Sequence, residues 1–448
     1  MWESKTSKFA FCQYPFFLSI WAKIQILEHD AKRQMRGKAR DAFFDSILNH
    51  KILKQVSEVV GSGSEDIKKA LRIEFQGEEG VDAGGLRKEW FLLLVREVFN
   101  PDHGLFAYDE DSQFCYFNSN SFETSDQFFL VGVVLGLAIY NSTILDVALP
   151  PFAFRKLLAS APVPGAGAAA HPRPTMSYTL DDLAEYRPVL ARGLRQLLEY
   201  EGDVQATFCL DFVVEVEKYG ARLRAPLLPG GESRMVTNAN RREYVDLYVR
   251  YLLDTSVSRQ FEPFKRGFFT VCGGNALSLF RPEEIELLVR GSDEPLDILS
   301  LKASTEYTNW RPSGAIASKN SNANANATST GGAGSGGVGA AMSNLEPEQG
   351  LEDEEQEPTL RWFWTTFERA TPQDQRKLLS FITGSDRIPA TGAASLVIRI
   401  HCLGEDEGRF PTARTCFNQL SLYRCRTRER LEASLWRAVR ESEGFGLR

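Results

Sequence analysis

The sequence predicts an α+β protein in two parts, a long and mostly helical body followed by a smaller part that mixes helices with strands. Three observations carry this. Apolar residues recur at helical spacing through most of residues 9–310. Near the C-terminus Leu396, Ile398, Ile400 and Cys402 alternate with Val397, Arg399 and His401, the pattern of a half-buried strand. Between the two parts, Arg290-Gly291-Ser292-Asp293-Glu294-Pro295 is short and polar and contains Gly and Pro, the composition of a hinge between lobes.

In chain order, Asp41 to Val60 carries Phe43, Phe44, Ile47, Leu48, Ile52, Leu53 and Val56 on one broad face, which predicts a helix. Leu71 to Phe75 reads as a short strand, and GEEGVDAGG after it as a glycine-punctuated turn. Arg87 to Phe99 is a helix that stops at Asn100-Pro101. Asp126 to Asn141 and Phe152 to Leu158 are apolar helices, and Ser160 to Pro174 has the Ala/Pro/Gly chemistry of a surface insertion. Leu180 to Tyr200 is helical, Phe208 to Val216 a strand, and Arg241 to Leu253 and Phe280 to Val289 are helices.

After the hinge, residues 311–357 differ in kind. A low-complexity Asn/Ala/Gly/Ser run leads into the acidic LEPEQGLEDEEQEP. With no aromatic from Arg311 to Arg361, this stretch cannot bury enough apolar area to offset its ordering entropy, so it is expected to be disordered. Thr359 to Ile382 returns to helix, anchored by Trp362, Phe363 and Trp364, with a second start at Thr371-Pro372. Cys416 to Leu422 reads as a strand. Thr427 to Glu441 reads as a helix, with Leu431, Leu435 and Val439 on one face.

Composition narrows the function class. The 52 basic and 59 acidic side chains give −7, with no basic run, which argues against nucleic acid as the main ligand. Residues 311–357 hold seven of the acids and two of the bases, so −5 belongs to that segment and only −2 to the rest. The apolar run Phe128 to Tyr140 is too short to span a bilayer. The Phe9–Trp21 patch is interrupted by Gln13, Tyr14 and Pro15, unlike a signal peptide. An intracellular protein without membrane insertion is expected, cytoplasmic or also nuclear. Seven cysteines, none in a CxxC pair, and five histidines make a zinc site or a disulfide framework unlike this chain. Neither metal nor cofactor is expected.

The chemically informative segment is PTARTCFNQLSLY, residues 411–423. Cys416 stands where a loop meets a strand, Arg414 lies two residues before it, and Thr415 and Asn418 flank it. A nearby guanidinium favours thiolate, and thiolates are intrinsically nucleophilic. The residues alone leave this cysteine either a nucleophile or a small structural hydrophobe. His401 invites a Cys–His hydrolase reading, which needs a ring nitrogen within reach of the thiol and an Asn or Asp behind it.

Several motifs resemble those of HECT-type ubiquitin ligase catalytic domains, in the family's order. PTARTCFNQL is similar to the cysteine motif, normally Leu-Pro-x-x-His-Thr-Cys-Phe-Asn-x-Leu. GEEGVDAGGLRKEWF (77–91), LVGVVLGLAIYNSTILDVALP (130–150), RREYVDLYVRYLL (241–253), FKRGFF (264–269), LFRPEEIELLVRGS (279–292) and ITGSDRIP (382–389) resemble further segments, and the GFG near the terminus resembles the tail. Two departures stand out. Arg414 replaces the usual His, and a guanidinium cannot accept a proton. Tyr423-Arg424-Cys425-Arg426 replaces the usual Leu-Pro-x-Tyr.

The resemblance implies a bilobal fold. Residues 1–291 would form the N-lobe, with a subdomain at about 203–265 that docks a ubiquitin-conjugating enzyme. Residues 292–295 would be the hinge, and 296–448 the smaller C-lobe, interrupted at 311–357. It implies that Cys416 takes ubiquitin as a thioester and passes it to a substrate lysine, with Thr415 and Arg414 beside it. Glu78, Asp82, Glu89 and Asp146 would be acidic residues lining the cleft between lobes, and Phe445 would be a tail residue that helps position them. Leu223, Leu227 and Phe264 are candidates for the conjugating-enzyme groove. The expected partners are ubiquitin, a conjugating enzyme and protein substrates. Substrate-recruiting domains usually precede this catalytic domain, and none is visible before residue 9. A binding module that keeps the fold without turnover is the other reading that Arg414 leaves open.

Overall fold

The structure, a computed structural model, describes residues 15–36, 42–46, 71–75, 85–145, 147–162, 176–218, 221–273, 275–310 and 357–445. The chain divides into two units. Unit 1 is Met1–Asp293 with Arg387–Gly392, and unit 2 is Glu294–Asp386 with Ala393–Arg448. The range expected for the C-lobe therefore lends one segment to unit 1. Ile388 explains it: its backbone bridges that of Ser292, with Ser292 N–H donating to the Ile388 carbonyl at 2.8 Å. Gly291 makes room for this, since a Cβ there would lie 2.6 Å from the Ile388 carbonyl, and its φ of +71° favours glycine.

Unit 1 begins with α1 (Ile20–Arg36), β1 (Ala42–Ser46), β2 (Leu71–Phe75) and α2 (Gly85–Val98). β1 and β2 pair in parallel, Ala42 opposite Leu71 through Ser46 opposite Phe75. This corrects the helix expected from Asp41: adjacent Phe43 and Phe44 suit a strand, and β2 offers their backbone a partner. Residues 47–60 of that expectation lie outside the described residues, as do the glycine-punctuated turn at 76–84 and most of the 160–174 insertion.

The centre of unit 1 is built on α3 (Ser125–Tyr140), which follows the hairpin β3 (Phe106–Tyr108) and β4 (Cys115–Phe117). α4 (Pro151–Ala159), α5 (Leu180–Tyr186), α6 (Pro188–Glu199) and α7 (Val204–Phe208) come next. The single helix expected over Leu180–Tyr200 is thus two. Pro188 has no N–H to continue the ladder, and Arg187 before it leaves helical geometry at φ −128°, ψ 77°. The strand expected from Phe208 starts later, as β5 (Val213–Lys218), because Asp203 caps α7 and Cys209 ends it at φ +49°. β5 forms a hairpin with β6 (Ala221–Pro226), and α8 (Arg241–Leu253), α9 (Ser258–Val271) and α10 (Pro282–Arg290) complete the unit.

α3 is apolar on all sides because it is buried on all sides, from Leu130 to Tyr140 without a break. Its glycines set how closely α9 approaches. A Cβ on Gly132 would fall 1.9 Å from the Phe264 carbonyl, and one on Gly267 1.9 Å from the Phe129 carbonyl. The two helices therefore meet backbone to backbone. Among the described residues no helix is long and apolar enough to cross a membrane.

Unit 2 holds α11 (Ile298–Ala303), β7 (Glu306–Thr308), α12 (Pro358–Arg369), α13 (Pro372–Thr383), β8 (Arg399–Glu405), β9 (Thr412–Arg414), β10 (Gln419–Arg424) and α14 (Arg428–Phe445). The strands form one sheet in the order β7-β8-β10-β9, with only β9 antiparallel to its neighbour. Leu396, Ile398, Ile400 and Cys402 are all buried, as their alternation predicts, and Leu420 and Leu422 join them. The indole N–H of Trp310 donates to the Ile400 carbonyl at 2.9 Å, and that of Trp364 to the Tyr307 hydroxyl at 2.8 Å. The segment expected to be disordered lies outside the described residues except for Glu357.

Candidate active site

Cys416 lies in the loop of a β-hairpin. Arg414 at the end of β9 pairs with Gln419 at the start of β10, so Thr415-Cys416-Phe417-Asn418 make the reversal. Thr415–Phe417 form a 3-10 turn, and Asn418 closes it at φ +49° with its N–H on the Thr415 carbonyl at 3.2 Å. This corrects the strand expected from Cys416 to Leu422. The strand starts at Gln419 because β9 takes up the residues before the loop, and four residues are spent turning. Asn tolerates the left-handed position better than most residues.

One flank of this loop is tied down by hydrogen bonds and the other is packed against a helix end. The Arg399 N–H donates to the Asn418 carbonyl at 2.9 Å, and the Arg399 guanidinium donates to the Phe417 carbonyl at 3.2 Å. The same guanidinium meets Glu306 at 2.8 Å. On the other flank, Gly384 ends α13 in the left-handed region at φ +79°. A Cβ there would sit 3.4 Å from the Thr415 Cβ, so the chain reverses directly against that side chain. The sequence stretches around 382–386 and 411–423 thus come together within unit 2.

Register places two polar rows on one face of the sheet, with Ser421 of the second row buried. One runs Glu306, Arg399, Gln419, Arg414, and the next Thr308, His401, Ser421, Thr412. Both His401 ring nitrogens are engaged. Asn309 Nδ2 donates to Nε2 at 3.3 Å, which assigns the proton to Nδ1 and lets it donate to the Thr308 hydroxyl at 2.8 Å. Burial, and then the charge of Arg414, hold this imidazole below its usual pKa, in its neutral form. A Cys–His hydrolase needs a ring nitrogen turned to the thiol, and these two are spent on Thr308 and Asn309.

Other thiols are held protonated. Burial pushes Cys115 up to about 12 and Cys425 to about 11, and raises Cys402. Thiolate is the nucleophilic form, so these three read as packing residues.

The remaining expected site residues fall as follows. Glu78, Asp82 and Asp146 lie outside the described residues. Glu89 is on α2 and Phe445 is the last residue of α14. Leu223 is on β6 and 47% exposed, and Leu227 just beyond the hairpin is half-buried. Phe264 is a correction. It is 3% exposed, its ring packs on Phe117 with centroids 5.1 Å apart, and its carbonyl abuts Gly132, so it is core of unit 1 and not groove surface. Arg399 and Glu306 were not foreseen. They are 93 residues apart, and no local pattern joins them.

The model of the HECT-domain (ubiquitin-transferase) family matches residues 92–448. The chain is 38% identical to the "Probable E3 ubiquitin-protein ligase mug30" of Schizosaccharomyces pombe and 39% identical to the "Probable E3 ubiquitin-protein ligase HECTD2" of Mus musculus. Both alignments cover 100% of this chain, and 53% and 54% of those proteins. It is 35% identical to the "Probable E3 ubiquitin-protein ligase HERC4" of Homo sapiens, over 97% of this chain and 38% of that protein. The chain thus spans about half the length of the first two relatives, and less of the third.

Proposed function

The chain belongs to the HECT-domain (ubiquitin-transferase) family, and from that premise we propose that it is a ubiquitin-protein ligase that carries ubiquitin on Cys416. The Cys416 thiolate attacks the thioester carbonyl of ubiquitin borne by a conjugating enzyme. The C–S bond to that enzyme breaks and its cysteine leaves as thiolate, so one thioester replaces another. The amine of a substrate lysine then attacks the Cys416 thioester. An isopeptide bond forms, the Cys416 thiolate departs, and the amine proton passes to a carboxylate or to water. Atoms and electrons balance without a cofactor.

The observation that carries this reading is the place of Cys416: on a hairpin turn held from β8, inside the stretch that the family model matches. Thr415 and Arg414 are its neighbours. Arg414 stays charged and suits stabilisation of a thiolate or a tetrahedral oxyanion, not proton removal. Glu78, Glu89 and Asp146 are the acidic candidates for orienting the incoming lysine, and Phe445 for positioning the lobes. Leu223, exposed on its hairpin with Leu227 nearby, suits the conjugating-enzyme surface of a subdomain at about 203–265. In this reading 1–291 serves as the N-lobe, 292–295 as the hinge and 296–448 as the C-lobe, in the cytoplasm or also in the nucleus. The names of the relatives support the assignment.

The test is transfer from a loaded conjugating enzyme. Wild type is expected to form a ubiquitin adduct that thiols reverse, Cys416→Ala none, and Cys416→Ser an adduct that resists reduction. An adduct on Cys416→Ala would remove the assignment. Wild-type binding of the conjugating enzyme with no adduct would favour the non-catalytic module that Arg414 suggests.

A further inference from the structure

We propose that Arg399 is a positioning residue for the Cys416 nucleophile, an inference that rests on the reading of Cys416 above. Its guanidinium is held on one side by the Glu306 carboxylate at 2.8 Å, and from that fixed orientation another nitrogen donates to the Phe417 carbonyl at 3.2 Å. A guanidinium is a planar fork, so the ion pair with Glu306 sets where that second donor points. The backbone of the same residue reinforces it, with the Arg399 N–H on the Asn418 carbonyl at 2.9 Å. Two consecutive carbonyls after Cys416 are therefore fixed by one residue of β8. Asn418 is also held in the left-handed region, where backbone rotation is least free.

A purely structural role predicts something else. Arg399 and Glu306 are 45% and 42% exposed, and an exposed ion pair contributes little to stability. Loss of the guanidinium should leave unit 2 folded while removing one of the bonds that orient the Phe417–Asn418 peptide. The Cys416 turn would then adopt several orientations, and only a fraction would present the sulfur along the line of attack.

The experiment measures single-turnover transfer from a loaded conjugating enzyme to the full chain at several enzyme concentrations, with thermal unfolding alongside. Arg399→Ala is expected to lower the saturating rate roughly 10- to 100-fold, the scale for misplacement of about 1 Å. The half-saturating concentration should hold, with the melting midpoint within about 2 °C of wild type. Arg399→Lys keeps the ion pair but not the fork, so it should recover only part of the rate. A wild-type saturating rate in either variant would overturn the inference. So would a loss confined to the half-saturating concentration. Should Arg399→Ala unfold, the Lys variant decides alone. Cys416→Ala separates the two claims. An adduct there sinks both the nucleophile assignment and this inference, whereas no adduct together with an unimpaired Arg399→Ala sinks this inference alone.

Discussion

Replacing Glu284 by Gln is expected to destabilise unit 1 by about 3 kcal/mol, the low end of the range for breaking a buried ion pair. Lys23 on α1 and Glu284 in the first turn of α10 have side chains only 2% and 7% exposed. The Lys23 ammonium donates to both carboxylate oxygens, at 2.9 and 2.7 Å, and one of these also accepts the Arg281 N–H at 2.8 Å. A Gln keeps the cap on Arg281 and one acceptor for Lys23, but leaves the ammonium buried without a counter-charge. Those retained bonds are why the low end applies. Removing both charges, as Lys23→Met with Glu284→Leu, is expected to cost less than the single change, because no buried charge is left behind. Urea unfolding at neutral pH measures both. A loss under about 1 kcal/mol for Glu284→Gln, or a double variant as weak as the single one, would refute the reasoning. Acid provides a further check. Burial works to raise the Glu284 pKa, but the Arg281 amide and the Lys23 ammonium outweigh it and hold the folded value below the usual 4.5. The stabilisation is therefore complete above the unfolded pKa and is lost as pH falls through the folded one. The gap between wild type and Glu284→Gln should narrow only below about pH 4.5.

Two further predictions concern unit 2. The Arg424 side chain, 21% exposed, ion-pairs with Glu357 at 3.1 Å and donates to the Trp310 carbonyl. Arg424→Ala should therefore cost unit 2 about 2 kcal/mol, on the scale of hydrogen bonds to charged groups, read from urea unfolding followed by tryptophan fluorescence; an unchanged midpoint would refute it. Arg414→His is expected to retain thioester formation, and to raise the pKa of His401 by removing a cation that lowers it, seen in imidazole NMR titration. A dead variant would mean that Arg414 has an essential task of its own.

Periodicity made the regular parts legible and missed what depends on distant partners. Arg241–Leu253 is a helix and Leu71–Phe75 a strand at the expected residues, because one has a strong 3.6 repeat and the other is a short β-rich run between polar flanks. Ala42–Ser46 broke the expectation because its pairing with Leu71–Phe75 overrides a helical pattern that its own residues share. The buried alternation of Ile398, Ile400 and Cys402 was readable, whereas the turn at Cys416 was not. Its one local sign is Asn418, a residue at home in the left-handed region. The tie from Arg399 to Glu306 crosses 93 residues and joins β8 to β7, so only the folded sheet brings it into being. Phe264 went wrong for a related reason. An apolar residue in a motif looks the same on a groove as in a core, and the approach of α9 to Gly132 decides which it is.

The two described ends that flank residues 311–356 meet at one side chain. Residues 311–356 fall between β7 and α12 of unit 2 in the sequence, and β10 ends at Arg424. Local bonds hold the two described ends, Trp310 and Glu357, in place. Arg424 supplies them: it reaches the Asn309 and Trp310 carbonyls on the near side, Glu357 on the far side, and lies 5.9 Å from the Trp310 ring centre. β10 continues to Arg424, opposite Glu405. Arg424 therefore joins both described ends to the end of β10. β7, before residues 311–356, pairs with β8 after them, and the same sheet puts Glu306 of β7 against Arg399 behind the Cys416 turn.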